Sequence, residues 1–207
     1  EATAMLWDVD SGVEVRSFSG HRGRRITAVA FSPDGRNVLT GSMDETAKLW
    51  DVSSGREMMT YSGRFRESML LAFNGRHVLS RSSNNSVSIS EMGTGRELHT
   101  LSGHQRAVSS AAFSPDGRYA LTGSHDGTAK LWEVATGREM WSSEDTGWVF
   151  STAFSPDGRY ALTGSVDDTA TLWDAVDGRE LRTFVGHTDN VLSVAFSPDG
   201  RYVLTGS

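Results

Sequence analysis

The feature that most constrains this chain is a sequence block of about 41 residues that recurs from end to end. Its clearest copy is FSPDGRYALTGSHDGTAKLWE, from Phe113 to Glu133. FSPDGR also begins at Phe31, Phe154 and Phe196, and a shortened FNGR begins at Phe73. Successive copies are 43, 40, 42 and 41 residues apart, measured between the positions that close them: Trp7, Trp50, Ser90, Trp132 and Trp173. A repeat of this period predicts one continuous array over residues 1–207, in which neighbouring repeats share a core.

We number the repeats first to fourth by their closing positions Trp50, Ser90, Trp132 and Trp173. Each repeat has the pattern of four short strands, which the third repeat places at 107–114, 119–124, 128–133 and 139–142. Proline at the second turn position and glycine after aspartate supply the fixed and the positive φ that tight reversals need. Short strands at regular spacing with turn signals between them predict an all-β meander.

The predicted strands lack a clean alternation of apolar and polar residues. A sheet with one exposed face would require that alternation, so we expect both faces of each small sheet to be covered. Identical sheets that cover one another and stack around an axis form a β-propeller. The small residues of Ser109-Ser110-Ala111-Ala112 suit convergence at the axis, and the bulkier Leu131 and Trp132 suit the periphery. A flat β-solenoid is the alternative, but solenoid coils are usually much shorter than these repeats.

Three motifs recur in a constant order: Gly-His near the start of a repeat, FSPDG in the middle and Leu-Trp-Asp at the end. In this order they resemble the WD-repeat β-propeller family, and the resemblance covers the whole chain. It implies a propeller of four-stranded antiparallel blades with five WD-type repeats. It also implies a non-catalytic interaction module, whose commonest partner site is the face that carries the loops before the first strand and the turns between the second and third strands.

The resemblance further implies a buried hydrogen-bond network in each repeat, built from a histidine, a hydroxyl residue, an aspartate and a tryptophan. Complete sets are His21, Thr40, Asp44, Trp50 and His104, Thr122, Asp126, Trp132. Partial sets are Thr163, Asp167, Trp173 in the fourth repeat and His187, Thr205, Trp7 at the two ends. The chemistry is consistent in itself, because indole N–H only donates, carboxylate only accepts, and imidazole and hydroxyl do both.

The second repeat departs most from this pattern. Gly63-Arg64 replaces Gly-His, Asn84 replaces the aspartate, and Ser90 replaces the tryptophan. Leu70-Leu71 also replaces the small residues of the first strand. Two explanations stay open at this point: neutral decay of a blade that its neighbours support, or reshaping of that blade for a partner.

The two ends carry complementary parts of one repeat. Gly186-His187 to Ser207 supplies the elements up to a second strand, and Glu1 to Asp8 supplies a third strand. Joined, they form a fifth repeat one residue short of the others, so a closed ring would contain one blade assembled from both termini. The alternatives are that copies complete each other, or that these repeats belong to a larger propeller or multidomain protein.

Composition excludes several classes of function. A net charge of -6 and a pI near 5.5 leave no basic surplus for phosphates, so nucleic acid is not expected as a partner. The absence of cysteine excludes disulfides and fits a cytoplasmic location, and no apolar run reaches the length of a membrane span. The histidines do not follow metal-ligand spacing, and no phosphate-binding glycine loop occurs. We therefore expect no enzyme activity, no metal, no cofactor and no membrane insertion.

Partner contacts are expected at loop positions that vary while their surroundings repeat. The candidates are Trp148, Arg25, Glu67, Asn190, Met43 and His125. Trp148 is the strongest, because aromatic anchors dominate interface energies, although packing between blades beside Trp141 is the alternative role for that side chain. A scaffold that presents this loop face to a protein or peptide is the predicted function. The alternative is an assembly module that completes a ring by self-association or within a longer chain.

Overall fold

The computed structural model describes residues 2–23, 25–62, 71–83, 85–143 and 147–207. Within these ranges the regular structure is entirely β, in twenty strands. The all-β class that the repeat pattern predicts is therefore confirmed. The described ranges contain no helix with the length and hydrophobicity needed to cross a membrane.

The strands follow the repeats. The chain opens with β1 (Ala2–Trp7) and β2 (Glu14–His21). The first repeat contains β3 (Ile26–Phe31), β4 (Asn37–Ser42), β5 (Thr46–Asp51) and β6 (Glu57–Ser62). The second contains β7 (Leu71–Phe73), β8 (His77–Ser83), β9 (Ser86–Glu91) and β10 (Glu97–Ser102).

The later repeats are equally regular. The third contains β11 (Val108–Phe113), β12 (Tyr119–Ser124), β13 (Ala129–Glu133) and β14 (Glu139–Ser142). The fourth contains β15 (Val149–Phe154), β16 (Tyr160–Ser165), β17 (Thr169–Asp174) and β18 (Glu180–Val185). The chain finishes with β19 (Ser193–Phe196) and β20 (Val203–Gly206). The strands predicted for the third repeat agree with β11 to β14 to within a residue at each end.

Each of the four repeats forms one four-stranded sheet, in which consecutive strands are neighbours. These sheets have the strand order of propeller blades. The end strands form two further sheets of two strands each, β1-β2 and β19-β20. The blade assembled from both termini, and the closed ring that it would complete, stay predictions.

The chain divides into two compact units. Unit 1 comprises Glu1–Arg81 and Ser90–Leu98, and unit 2 comprises Ser82–Ile89 and His99–Ser207. Unit 1 contains a core around Leu39, Leu49 and Tyr61 and a second around Phe18 and Trp50. Unit 2 also contains two cores. One is formed by Leu121, Leu131, Trp141 and Trp173, and the other by Leu162, Val191 and Val194. The single domain over residues 1–207 remains a prediction.

The middle strands of the complete blades are buried on both faces. β4, β12 and β16 are buried at every position after the first. This burial explains the missing polar alternation, because neither face of these strands meets water. The register is constant: Leu39 pairs with Leu49, Leu121 with Leu131 and Leu162 with Leu172.

The turn between the first two strands of a blade is set by its own side chains. In the third repeat the Ser114 hydroxyl donates to Asp116 over 2.6 Å, and Asp116 accepts the amide of Arg118 over 3.0 Å. Gly117 takes φ +70, which a side chain would disfavour. The FSPDG motif is thus a turn motif, and its glycine and aspartate are explained without a ligand.

Within unit 2, serine hydroxyls join the first strands of neighbouring sheets. Ser110 of β11 accepts the amide of Thr152 in β15 over 3.0 Å. Ser151 of β15 accepts the amide of Val194 in β19 over 3.2 Å. Each joint therefore links a side-chain hydroxyl of one sheet to the backbone of the next.

The two-stranded sheets expose positions that complete blades bury. Leu204 of β20 is 74% exposed, whereas its equivalents Leu121 and Leu162 are 0% exposed. Trp7 of β1 is 53% exposed, whereas Trp132 is 2% exposed. Each two-stranded sheet thus presents apolar side chains without the cover that a complete blade provides.

Candidate partner-binding site

The third repeat contains a complete polar network. The indole N–H of Trp132 donates to the Thr122 hydroxyl over 2.8 Å, and that hydroxyl lies 2.8 Å from Nε2 of His104. Nδ1 of His104 lies 3.0 Å from Asp126. A neutral imidazole protonated on Nδ1 satisfies all three links, because Nε2 then accepts the Thr122 hydroxyl proton.

The first repeat brings the same residue types together in unit 1. His21 lies 3.0 Å from Asp44 and 2.8 Å from Thr40, and Trp50 donates to Thr40 over 2.8 Å. The side chains of His21 and Asp44 are 0% and 3% exposed. A histidine and aspartate enclosed in this way are structural partners, since a substrate could not reach them.

Sequence reasoning missed one member of the network. The hydroxyl of Thr128 donates to Asp126 over 2.7 Å and lies 3.1 Å from Nδ1 of His104. Thr46 has the same place beside Asp44, at 2.6 Å. The signal was available, because an Asp-x-Thr spacing recurs in the first, third and fourth repeats.

The electrostatics of the network follow from burial and hydrogen bonding. Burial lowers the pKa of His104, and the charge of Asp126 opposes that effect. Burial also acts to raise the pKa of Asp126, but hydrogen bonds from Thr128 and the Gln105 amide outweigh it, and its pKa is lowered. For Asp44 the same balance of burial against hydrogen bonds lowers the pKa to about 2. The aspartates are therefore ionised and His104 is neutral near pH 7.

The fourth repeat shows the tryptophan and aspartate parts of its set within the described residues. Trp173 donates to Thr163 over 2.9 Å, and Asp167 accepts the Thr169 hydroxyl over 2.7 Å. Residues 144 and 145, which replace the Gly-His of this repeat, lie outside the described residues.

At the ends, Thr205 of the predicted set lies in β20, and His187 lies in the loop before β19. His187 lies 2.7 Å from Thr205 and 2.9 Å from Ser207. Trp7 lies in β1. The joining of these three residues in one network stays a prediction.

The predicted loop positions come together through one recurring backbone hydrogen bond. The amide of Met43 donates to the carbonyl of Arg25 over 2.9 Å in the first repeat. The same bond joins His125 to Ala107 and Val166 to Trp148. It ties the loop before the first strand to the turn between the second and third strands.

Two further loop candidates differ in what the structure shows of them. Asn190 is half-buried just before β19, and its amide is bound by the side chain of Asp189 over 2.8 Å. Glu67 lies outside the described residues, as do Arg64 and Asn84.

Two candidates from different repeats form an aromatic cluster in unit 2. The imidazole of His125 stacks on the indole of Trp148, with ring centroids 4.8 Å apart and planes at 14°. Phe150 stands edge-on to both rings, at 5.7 Å and 6.4 Å. Trp148 remains 43% exposed, whereas Trp141 is buried and donates to the carbonyl of Ala175 over 3.1 Å. The two tryptophans therefore have different surroundings: Trp148 contacts His125 of the neighbouring repeat and stays partly exposed, and its role as a partner anchor stays a prediction.

His125 and Trp148 of this cluster form one side of a pocket of about 580 Å³ in unit 2. Gln105 and Arg106 line the pocket beside it and are both exposed. Sequence reasoning did not single out these two residues, because nothing in the repeat pattern marks them. No three His, Asp or Glu side chains within the described ranges converge to hold a metal ion.

Stacked four-stranded sheets with a repeated His–Thr–Trp–Asp network define a class of blade-type repeat protein. The sequence model described as "WD domain, G-beta repeat" matches residues 12–51, 95–133, 139–174 and 178–207, more than half of the chain. The chain therefore belongs to the WD40 repeat family. The matched segments leave out 52–94, which contains strands β7 to β9 of the second repeat. No curated protein matches the chain.

Proposed function

We propose that this chain is a non-catalytic scaffold that presents its loop positions to a protein or peptide. WD40 repeats generally serve protein interaction, and the finer assignment rests on the cluster of His125, Trp148 and Phe150. An exposed tryptophan supported by two neighbouring rings suits an interface anchor, because little side-chain freedom remains to be lost on binding.

The buried polar networks support a non-catalytic role. A histidine–aspartate pair can serve as a general base only where it reaches a substrate. In the third repeat the side chains of His104 and Asp126 are 1% and 7% exposed, and their polar atoms are used within the network. The cytoplasmic location, like the lack of a nucleic-acid or membrane partner, stays a prediction from composition.

Replacing Trp148 by alanine is expected to weaken peptide binding at least tenfold while lowering the melting temperature by only a few degrees, through the lost contacts with His125 and Phe150. Loss of a central aromatic anchor costs about 2 kcal/mol or more in binding, whereas a half-exposed side chain contributes less to folding. Peptides selected from a random display library on the wild-type chain would be measured on both proteins by fluorescence polarisation.

Met140→Ala is the matched control, because Met140 is 40% exposed in the same unit but lies on the outermost strand β14. Its substitution should leave peptide affinity unchanged. Selected peptides that bind Trp148→Ala as tightly as the wild type would contradict the proposed site. A fall in the melting temperature of more than about ten degrees would assign Trp148 to packing instead.

A second candidate function, self-association, is favoured by the exposed apolar side chains of the end sheets. The register of the complete blades specifies how β20 would add to β1. Because Leu39 pairs with Leu49 and Ser42 with Thr46, Leu204 would pair with Leu6 and Ser207 with Thr3. Such a blade would cover Leu204 and Trp7. In this proposal β20 of one copy pairs with β1 of a second copy.

If copies complete each other, a variant with Thr3→Cys and Ser207→Cys should form disulfides between chains on oxidation. Directly paired residues of antiparallel strands lie close enough for a disulfide. The chain has no natural cysteine, so the bond can be attributed to the new pair on a non-reducing gel.

Met5→Cys with Ser207→Cys is the control for register, since that pair would be diagonal and too far apart. A disulfide within one chain would instead mean that the chain completes its own blade. Equal yields from both variants, or no bond in either, would contradict the proposed register.

A further inference from the structure

The pocket in unit 2 has features that indicate what it binds. Its lining comes from the loop of Gln105 and Arg106, the turn after His125, and the segment of Gly147 and Trp148. The loop and the turn belong to the third repeat, whereas Trp148 belongs to the fourth. The site therefore lies where these two repeats meet.

One wall of the pocket is a supported aromatic surface. His125 covers part of Trp148 by stacking at 4.8 Å, and Phe150 contacts the same ring edge-on. The 43% of Trp148 that stays exposed is available to an apolar or aromatic side chain of a partner. Offset and edge-on aromatic contacts are favourable beyond the area that they bury.

Most of the charge around the pocket is neutralised internally. Asp126 accepts hydrogen bonds from the amides of Gln105 and Thr128 and from the Thr128 hydroxyl, and also pairs with His104. The ammonium group of Lys130 lies 3.0 Å from Glu139, and its side chain is 11% exposed. Neither charge is left for a ligand.

Arg106 differs from these two residues. Its side chain is exposed, and no ion pair with the described part of the chain involves it. Its carbonyl accepts the Ser124 hydroxyl over 3.1 Å, so the backbone that carries the guanidinium is fixed. A guanidinium group is suited to a carboxylate, which it can bind with two parallel hydrogen bonds.

We propose that this pocket receives a peptide segment in which one acidic side chain lies next to an aromatic or aliphatic one. The apolar side chain packs on Trp148 and the carboxylate pairs with Arg106. This inference rests on the proposed function and adds the chemistry of the ligand. Because the chain carries a net charge of -6, a long acidic tract would be repelled, and a single carboxylate fits better.

The test uses capped 12-residue peptide libraries in which Glu is fixed beside Phe or Leu, and matched libraries with Gln or Lys in place of Glu. Binding to the full chain is measured by fluorescence polarisation. We expect the Glu peptides to bind the wild-type chain at least tenfold more tightly than their Gln counterparts. Arg106→Gln should abolish that difference, and Arg106→Glu should reverse it in favour of Lys.

Arg182→Gln is the matched control, since Arg182 is an exposed arginine of β18 in the same unit. It should keep the full preference for Glu. Peptides that require Trp148 but bind equally with Glu and Gln would overturn the ligand chemistry and leave the proposed function standing. Peptides that bind the Trp148→Ala variant as tightly as the wild type would overturn the proposed function itself. If no library yields a binding peptide, both the proposed function and the ligand chemistry are overturned.

Discussion

Asp126→Ala is expected to lower the free energy of unfolding by about 3 kcal/mol. The substitution leaves the Nδ1–H of His104, the amides of Gln105 and Thr128, and the Thr128 hydroxyl without their shared acceptor. Hydrogen bonds to a charged group are worth about 1.5 to 3 kcal/mol each, and water replaces part of that loss where the site is open. Urea unfolding followed by tryptophan fluorescence measures the change.

The pH profile separates this effect from a simple loss of packing. The pKa of Asp126 is lowered in the folded chain, so its contribution is present above the unfolded value of about 3.9 and is lost as the pH falls through the folded value. The difference in stability between wild type and variant should therefore narrow as the pH falls below about 4. Asp10→Ala is the control, because Asp10 lies in the exposed turn between β1 and β2, and it should leave the free energy of unfolding unchanged. If the stability difference between wild type and Asp126→Ala stays constant down to pH 2, Asp126 does not stabilise the fold through its charge.

Gly164→Ala is expected to destabilise unit 2 by about 2 kcal/mol or more. A Cβ at this position would lie 2.8 Å from Cγ1 of Val194 and 2.9 Å from the carbonyl oxygen of Val191. A backbone oxygen cannot turn away as a flexible side chain can, so the strand β16 or its neighbour must shift. Thermal unfolding of the variant measures the cost.

Gly206 provides the matched control, since it holds the same place in the LTGS motif but a Cβ there would meet only Ser193 at 3.9 Å. Gly206→Ala should be neutral or stabilising, because alanine restricts the unfolded chain. Equal stability of Gly164→Ala and wild type would contradict the close approach seen at β16. A large loss in Gly206→Ala would show that another sheet packs on β20 in solution.

Much of the fold follows from patterns that recur in the sequence. Each FSPDG turn is local, because Ser114, Asp116 and Gly117 contact one another within a few residues, and so the strand positions could be predicted. The links among His104, Thr122 and Trp132 are longer in range, but they could be proposed because the same residue types recur at the same spacing in the first repeat. Repetition supplied the evidence that a single copy would have lacked.

The parts that occur once could not be predicted in this way. The stack of His125 on Trp148 depends on how the third and fourth sheets approach and on the rotamers of both rings, which no periodicity encodes. Arg106 becomes notable only when Lys130 and Asp126 are seen to be neutralised by their neighbours. Sequence therefore predicted Trp148 and His125 as separate candidates, and the structure placed them in one cluster.

The serine joints between sheets of unit 2 have a consequence for how such a chain can change over evolutionary time. Ser110 and Ser151 bind the backbone amides of the neighbouring strands, which every residue except proline possesses. The residues that donate these amides, Thr152 and Val194, have different side chains but form the same hydrogen bond. A duplicated copy of the third or fourth repeat would therefore meet its new neighbour with this bond already available, before any side chain of that neighbour had been selected to match.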